Sequence, residues 1–181
     1  KYHSQLKRWV APFIMAGINT RIVRRSNALL EYMYGDNFSY TEFTDCGKNT
    51  KGRLKAILIT SSLGLFFLFS SFRTTKKHIV QRFLPKPGEG PDRKNRINGF
   101  FKLKLYGEAE SSEQLSMTVT GDQDPGYGST SKMISETALC LAVDKINISG
   151  GFWTPASALG EKLLKRLEEN AGLKFKVDES L

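Results

Sequence analysis

The residues best suited to chemistry gather in a glycine-rich turn, residues 120–132, between an alternating apolar run and a helix-like run. Backbone N–H groups and the positive end of a helix dipole converge at such a turn, where nucleotide phosphates are often held. Two phosphate signatures nearly fit. Serine at position 131 replaces the third glycine of the dinucleotide fingerprint, and Tyr127 stands where a P-loop has its lysine. The pattern therefore favours a structural strand-to-helix corner over a phosphate cradle.

The turn carries four candidate functional side chains, Asp122, Asp124, Tyr127 and Lys132. Tyr127 could donate a proton to a carbonyl or enolate, although a tyrosine between two glycines is more typical of a packing lid. The two aspartates could form an acid pair, but beside Pro125 we favour Asx-type turn hydrogen bonds. Lys132 in a first helical turn opposes the helix dipole, which indicates that it has a partner. No Ser/His/Asp or Cys/His constellation is recognisable in the sequence.

A predicted helix over residues 19–35 carries a second group of candidates. Asn19 is its predicted N-cap and Gly35 its stop. Its predicted core face consists of Ile22, Ser26, Leu29, Leu30 and Met33. Arg21, Arg24 and Arg25 lie mostly off that face, so they are expected to point to solvent or to a ligand. The alternation of Phe38, Tyr40 and Glu42 then predicts a short strand over residues 36–43.

Charge is divided unevenly along the 181 residues. The chain has a net charge of +9, with +12 in residues 1–100 and −3 in residues 101–181. One strongly basic half indicates an anionic partner such as membrane headgroups, nucleic acid or an anionic substrate, and a solvated basic face explains it equally well. We expect no nucleic acid, because the basic clusters lack the interleaved aromatic residues of a stacking surface.

The cysteines and the first residue constrain the class of protein further. Cys46 and Cys140 lie far apart and, with His3 and His78, form no metal-ligand spacing, so no metal site is predicted. Two cysteines make no disulfide framework, which favours a reducing compartment. Because the chain begins at Lys1 without an initiator methionine or a signal peptide, we expect it to be a piece of a longer protein.

Residues 56–72 form an uncharged stretch of seventeen residues, rich in leucine and phenylalanine. As a helix it would measure about 26 Å, slightly less than a hydrocarbon core of about 30 Å. The basic residues Lys51, Arg53, Lys55, Arg73, Lys76 and Lys77 flank it. Burial in the core is the alternative, but phenylalanines on several faces favour a membrane-seeking helix that dips into one leaflet. Its expected lipid-facing residues are Leu58, Leu65, Phe66, Phe67 and Phe69.

The second half has the pattern of a small α+β layer. A turn-rich hinge over residues 85–92 precedes a predicted antiparallel hairpin with one wet face, in which Phe101, Leu103, Leu105, Leu115, Met117 and Val119 alternate with polar residues. A helix from Ser131 to Asp144 is expected to direct Ile134, Ala138, Cys140 and Leu141 to a core. A helix capped by Thr154 follows, with a stripe of Leu159, Leu163 and Leu167, a stop at Gly172 and a final strand.

These elements predict an α+β fold, with a mixed or antiparallel sheet, packed helices and one hydrophobic membrane-seeking helix. The predicted organisation has three parts. Residues 1–50 supply a helix and strand of the α+β domain, residues 51–84 the hydrophobic segment with basic flanks, and residues 85–181 the remainder of the same domain.

Four blocks of the chain resemble one family. They read PFIMAGINTRIVRRSNALL at residues 12–30, PGEGP at 87–91, GDQDPGYGSTSK at 121–132 and GFWTPA at 151–156. In this order and spacing they are similar to the C-terminal half of saccharopine dehydrogenase-like oxidoreductases, in particular the trans-acting enoyl reductase branch. The resemblance runs across almost the whole chain.

The resemblance implies a function that the residues alone do not. It implies an N-terminal Rossmann domain that binds NAD(P), hydride transfer to an unsaturated acyl chain, and a role in lipid or glycolipid metabolism inside the cell, at a membrane or lipid-droplet surface. The Rossmann glycine fingerprint is not in these residues, so no cofactor site is expected in this chain. Asn19, Arg21, Arg24 and Arg25 fall in the densest block, which places them near a pocket or the interdomain seam, and Asp124 and Tyr127 are expected to face the cleft. A non-catalytic lipid-surface module that retains the fold is the alternative.

Overall fold

The computed structural model describes residues 1–75 and 88–178, which belong to two compact units, Lys1–Glu89 and Gly90–Leu181. The fold is α+β, as predicted, with two small antiparallel sheets, packed helices and one long apolar helix. His78, the flanking Lys76 and Lys77, and residues 85–87 of the predicted hinge lie outside the described residues. The division into residues 1–50, 51–84 and 85–181 stays a prediction.

The first unit contains a three-stranded sheet. Strands β1 (Tyr2–His3), β2 (Arg8–Pro12) and β3 (Phe43–Gly47) pair in that order, all antiparallel. The predicted strand over residues 36–43 is wrong, because the strand begins only at Phe43. Side-chain contacts hold residues 38–42 instead. The rings of Phe38 and Tyr40 stack with 6.4 Å between their centroids, and Glu42 accepts hydrogen bonds from Asn19 and Tyr40.

Helix α1 (Ala16–Leu29) starts and ends earlier than its sequence predicts. Asn19 is not its N-cap, since the helix begins after Met15, which makes no side-chain cap bond. The buried Asn27 ends the helix by donating to the Gly35 carbonyl and accepting from the Tyr34 N–H, which folds the following turn back. The predicted core face is only partly right, because Ser26 is buried while Ile22 and Met33 are exposed.

Helix α2 (Thr50–Ser71) begins at Asn49, whose side chain accepts a hydrogen bond from the Gly52 N–H. Its first turns pack on the sheet, where Ala56 is buried against Ala11 and Cys46. A short turn, α3 (Arg73–Thr75), follows it. The helix extends nearly two turns further towards the N-terminus than the uncharged stretch, and one side of those turns, at Gly52, is covered by the sheet.

The second unit starts with a short helix, α4 (Arg93–Asn98), capped by Asp92, and contains the second sheet. Strands β4 (Phe101–Glu108), β5 (Gln114–Gly121) and β6 (Leu173–Asp178) pair antiparallel in that order, which confirms the predicted hairpin and final strand. The prediction of a single wet face is only partly right. Four lysines, Lys102, Lys104, Lys174 and Lys176, lie in line across the polar face with Thr118 and Thr120 between them, but Leu103, Leu105 and Leu115 on the opposite face are exposed as well.

Two helices, α5 (Gly128–Val143) and α6 (Pro155–Asn170), build the core of the second unit around Cys140, Leu159 and Leu163. The cap by Thr154, the leucine stripe and the burial of Cys140 are confirmed. The expected inward positions Ile134, Ala138 and Leu141 are wrong, because all three are exposed. The side of α5 that packs carries Glu136, Thr137 and Cys140, since Glu136 pairs with α6.

Candidate functional site

The candidate side chains on α1 include a small polar network. Asn19, on α1, donates its Nδ2–H to Glu42 Oε2 at 2.9 Å, and the Tyr40 hydroxyl donates to Glu42 Oε1 at 2.9 Å. Burial, followed by the hydrogen bond and charge of Glu42, raises the pKa of Tyr40 to about 12. The Tyr40 hydroxyl already donates to Glu42, and its raised pKa makes it a weaker acid than an ordinary tyrosine, so this network is suited to fixing residues 38–42 on α1. Sequence reasoning missed Tyr40 and Glu42 as partners of Asn19.

Arg21, Arg24 and Arg25 lie on the exposed side of α1. Their spacing of three and four residues brings them to one face of the helix. Exposed guanidinium groups in a row can bind a carboxylate or a phosphate, and the planar fork of arginine suits both. Asn19, on the same helix, differs from the arginines because it is half-buried and engaged with Glu42.

The glycine-rich turn of the second unit is organised by one carboxylate. Asp124 accepts hydrogen bonds from three successive backbone N–H groups, those of Gly126 at 3.1 Å, Tyr127 at 2.7 Å and Gly128 at 3.0 Å. The bonds from Gly128 and Tyr127, and then that from Gly126, hold the pKa of Asp124 below its usual range. These are the same donors that a phosphate would use at the start of α5. The turn therefore does not fit a dinucleotide phosphate, and the interpretation as a structural corner is supported.

The other side chains of the turn are also engaged. Lys132 Nζ lies 2.7 Å from Asp122 Oδ1, which confirms the expected partner for this lysine. The Asx-type hydrogen bonds expected of the aspartates are confirmed for Asp124, whereas Asp122 is bound to Lys132 rather than to a second acid. The Tyr127 ring lies over Gly90 so closely that a Cβ there would come within 3.1 Å of Tyr127 Cζ. This contact supports the packing-lid interpretation of Tyr127.

Sequence reasoning missed the strongest ion-pair cluster of the second unit. Arg166, on α6, binds Asp144 with Nε–Oδ2 at 2.7 Å and Nη2–Oδ1 at 2.9 Å, and reaches Glu136 at 3.2 Å. The hydrogen bond from Arg166 lowers the pKa of Asp144 to about 2. Burial, and then Asp144, raises the pKa of the Cys140 thiol beside it, so the thiol stays protonated. The four-residue spacing of Glu136, Cys140 and Asp144 is the signal that could have placed them on one face.

The third feature is the surface of α2. Over its apolar 18-residue window only 6% is buried, and by length and composition the helix could cross a membrane. Leu58, Leu65 and Phe67 are more than half exposed, while Phe66 and Phe69 are half-buried. No group of three His, Cys, Asp or Glu side chains that could hold a metal ion occurs within residues 1–75 and 88–178.

Comparison with known proteins points to one class. The chain has homologues named trans-acting enoyl reductase, at 33–38% identity over 88–89% of its length. By that name they are oxidoreductases, and the agreement with this branch is what the resemblance of the four sequence blocks predicts. The wider relation to saccharopine dehydrogenase-like proteins stays a prediction.

Particular relatives come from mycobacteria. A protein of Mycobacterium tuberculosis, provisionally named a trans-acting enoyl reductase, is 38% identical over 164 residues. The trans-acting enoyl reductases of Mycobacterium bovis and Mycobacterium ulcerans are 36% and 33% identical over 163 and 165 residues. The chain spans 39% of the length of each of these relatives. No protein-family model and no solved structure matches the chain.

Proposed function

We propose that this chain is the C-terminal, substrate-side and membrane-docking portion of an NAD(P)-dependent oxidoreductase that acts on lipid or acyl substrates. The observation that carries the proposal is its similarity, over 88% of its length, to proteins named trans-acting enoyl reductase. An enoyl reductase transfers hydride to an unsaturated acyl chain, and the nicotinamide supplies that hydride. The parent protein would belong to the saccharopine dehydrogenase-like group and serve lipid or glycolipid metabolism inside the cell.

In this proposal the cofactor belongs to a Rossmann domain elsewhere in the parent protein. The glycine-rich turn before α5 has its N–H donors occupied by Asp124. The chain would instead shape the substrate side of the cleft. Asn19, Arg21, Arg24 and Arg25 in the first unit, and Asp124 and Tyr127 in the second, are the residues proposed to lie near the pocket or the interdomain seam.

The proposed membrane docking has a physical reason in the location of an acyl substrate. Long acyl chains partition into bilayers or lipid droplets, so a reductase that acts on them gains by residing at the same surface. Helix α2 offers the surface for this, because its apolar side chains are left uncovered beyond its first turns. The expected location is a membrane or lipid droplet.

Turnover by the longer parent protein tests the enzymatic part. NADH and NADPH are supplied in turn with a panel of unsaturated acyl substrates, and loss of nicotinamide absorbance is followed. We expect oxidation of one cofactor that depends on an α,β-unsaturated acyl chain. Absence of turnover across the panel by folded, cofactor-binding parent protein would contradict the proposal.

Vesicle flotation tests the docking part. Deletion of residues 56–72 should move the protein to the soluble fraction, but it also removes Ala56 from the core. A sharper variant is Leu58→Asp with Leu65→Asp and Phe67→Asp, which leaves the core intact. The matched control replaces three exposed apolar residues of α5 by aspartate, Ile134, Leu139 and Leu141. We expect the first variant alone to lose flotation, and unchanged flotation would reject the role of α2.

A non-catalytic lipid-surface module is the second candidate. It is favoured by the engagement of Asp124, Glu42 and Lys132 in bonds that stabilise the fold. The residues that precede Lys1 in the parent protein distinguish the two candidates. An intact strand, G-x-G-x-x-G turn and helix there would favour the enzyme, and a degraded one would favour the module.

A further inference from the structure

Within the described residues, helix α2 packs on the sheet of its own unit through its first turns. At Gly52 the helix lies so close to the sheet that a Cβ would meet the Cys46 carbonyl oxygen at 2.8 Å and that of Gly47 at 2.9 Å. Ala56 is 2% exposed, and Trp9 and Ile59 pack around it. Among the described residues beyond Ile59 the helix is mostly uncovered, with Leu65, Phe67 and Leu68 more than half exposed.

Two aromatic rings lie where the helix leaves the sheet. The Trp9 ring, on β2, contacts the Tyr2 ring edge to face at 5.3 Å between centroids. The guanidinium of Arg53, on the first turn of α2, lies 5.5 Å from the centroid of the Trp9 ring. Tyrosine and tryptophan concentrate at the headgroup level of membranes, because each ring has an apolar body and a polar group.

The same end of the helix is basic. Lys51, Arg53 and Lys55 are exposed within the first two turns of α2, and no Asp or Glu occurs between Asp45 and Glu89. Asp45 itself attracts Lys55 but is bound by Arg8 at 2.6 Å. The two lysines and the arginine therefore give the start of α2 a net positive charge, and of the three Arg53 is the one that lies against the Trp9 ring.

Two hydroxyl groups of α2 are satisfied in a way that suits a nonpolar environment. Thr60 Oγ1 donates to the Ala56 carbonyl at 2.8 Å, and Ser71 Oγ donates to the Phe67 carbonyl at 2.8 Å. Bonds of this kind satisfy a hydroxyl inside its own helix, which is what a segment in hydrocarbon requires. Arg73 lies just past the far end of the helix.

We propose that Tyr2, Trp9, Lys51, Arg53 and Lys55 form an interfacial collar that binds the headgroups of an anionic membrane and sets the depth of α2. The collar rests on the membrane docking proposed above and adds the chemistry of the partner, which is an anionic lipid headgroup. The rings lie at the headgroup level, the ammonium and guanidinium groups pair with lipid phosphates, and the helix beyond Ile59 enters the acyl region.

The chain has two tryptophans, so once Trp153 is changed to phenylalanine the tryptophan fluorescence comes from Trp9 alone and reports the surroundings of that ring. The W153F chain is mixed with vesicles of phosphatidylcholine, with and without one third phosphatidylserine. The collar predicts a blue shift of Trp9 emission that is larger with phosphatidylserine. It also predicts stronger quenching by lipids brominated near the headgroup end of the acyl chain than by lipids brominated near the methyl end.

Charge variants test the lipid selectivity. Each Lys or Arg at an anionic surface contributes roughly a fivefold gain in partitioning. We expect K51Q/R53Q/K55Q to weaken binding to phosphatidylserine vesicles at least about tenfold while binding to phosphatidylcholine is retained. The matched control, K102Q/K104Q/K174Q, removes the same charge from the sheet of the second unit and should leave the selectivity unchanged. Circular dichroism checks that both variants are folded.

The outcomes separate the collar from the docking on which it rests. If the W153F chain floats with vesicles but Trp9 is neither shifted nor quenched, the collar is wrong and docking stands. Equal loss in the two charge variants would also overturn the collar, because it would assign the selectivity to net charge. If the chain floats with no vesicle, the membrane docking fails, and the collar fails with it.

Discussion

At the scale of single residues, Asp124 decides what the glycine-rich turn can do. Without it, residues 126–128 would offer three convergent N–H donors at the start of a sixteen-residue helix, which is an anion site. With it, the anion is the protein's own carboxylate. The sequence predicts such bonds for the two aspartates beside Pro125, and the structure shows that Asp124 makes them while Asp122 binds Lys132.

Asp144 predicts a dependence of stability on pH. Its pKa of about 2 in the folded protein lies below the ordinary value of 3.8, so its contribution to stability is complete above about pH 5 and is lost as the pH falls through 3.8 towards 2. Asp144→Asn should be less stable than wild type at neutral pH and should change less between pH 4 and 2. Thermal unfolding across that range measures it, with Glu168→Gln as a control for loss of one exposed carboxylate on α6. Parallel curves for wild type and Asp144→Asn would contradict the expectation.

Thr154 predicts a loss of stability at the start of α6. Its Oγ1 accepts from the Ser157 N–H, and Ser157 Oγ in turn accepts from the Thr154 N–H, which is a reciprocal capping box. Thr154→Ala should lower the free energy of unfolding by about 1 kcal/mol. Thr154→Ser keeps the acceptor and should lose less in urea unfolding. Equal losses in the two variants would assign the effect to the methyl group instead of the cap.

At the scale of elements, two glycines of α2 lie in different surroundings. Gly52 is in the turns that pack on the sheet, and Gly64 is in the exposed part of the helix. A Cβ at Gly52 would press on the backbone of β3, whereas a Cβ at Gly64 would meet nothing within 4 Å. Gly52→Ala should destabilise the first unit by about 1–3 kcal/mol. Gly64→Ala should stabilise the helix by up to about 1 kcal/mol. Urea unfolding measures both, and a neutral Gly52→Ala would show that α2 is not seated on the sheet at this point.

The buried face of a helix is harder to predict from sequence than the helix itself, as α5 shows. A helix in the α5 region follows from its composition, but the predicted inward residues Ile134 and Leu141 are exposed. The packed side is chosen by Arg166 of α6, which holds Glu136 and Asp144. An ion-pair cluster between two helices is a tertiary contact, so the local apolar pattern does not reveal it.

At the scale of the whole molecule, the net positive charge lies in residues 1–100, which carry +12 against −3 in residues 101–181. Binding of the chain to anionic vesicles should weaken as salt rises, because the Debye length falls from about 10 Å at 0.1 M to about 3 Å at 1 M. It should not vanish, since burial of the α2 side chains in lipid is not screened. Co-sedimentation with vesicles across this salt range measures both effects.

Binding to single-stranded DNA is measured beside binding to vesicles. Without aromatic residues interleaved in its basic clusters, the chain should bind single-stranded DNA only weakly. A filter-binding assay that shows tight and salt-sensitive affinity would instead assign the basic half to nucleic acid.

The sequence by itself determined the α+β class, the hairpin, the cap at Thr154, the leucine stripe of α6 and the apolar helix, because each depends on neighbours within a few residues. The tertiary structure decided which face of each helix is buried, that β3 begins at Phe43, that Asp122 pairs with Lys132, and that Trp9 contacts Arg53 on the first turn of α2. Trp9 and Arg53 are 44 positions apart, and only the pairing of β2 with β3, on which α2 rests, brings them together. Contacts over such separations arise from packing, and local sequence patterns do not contain them.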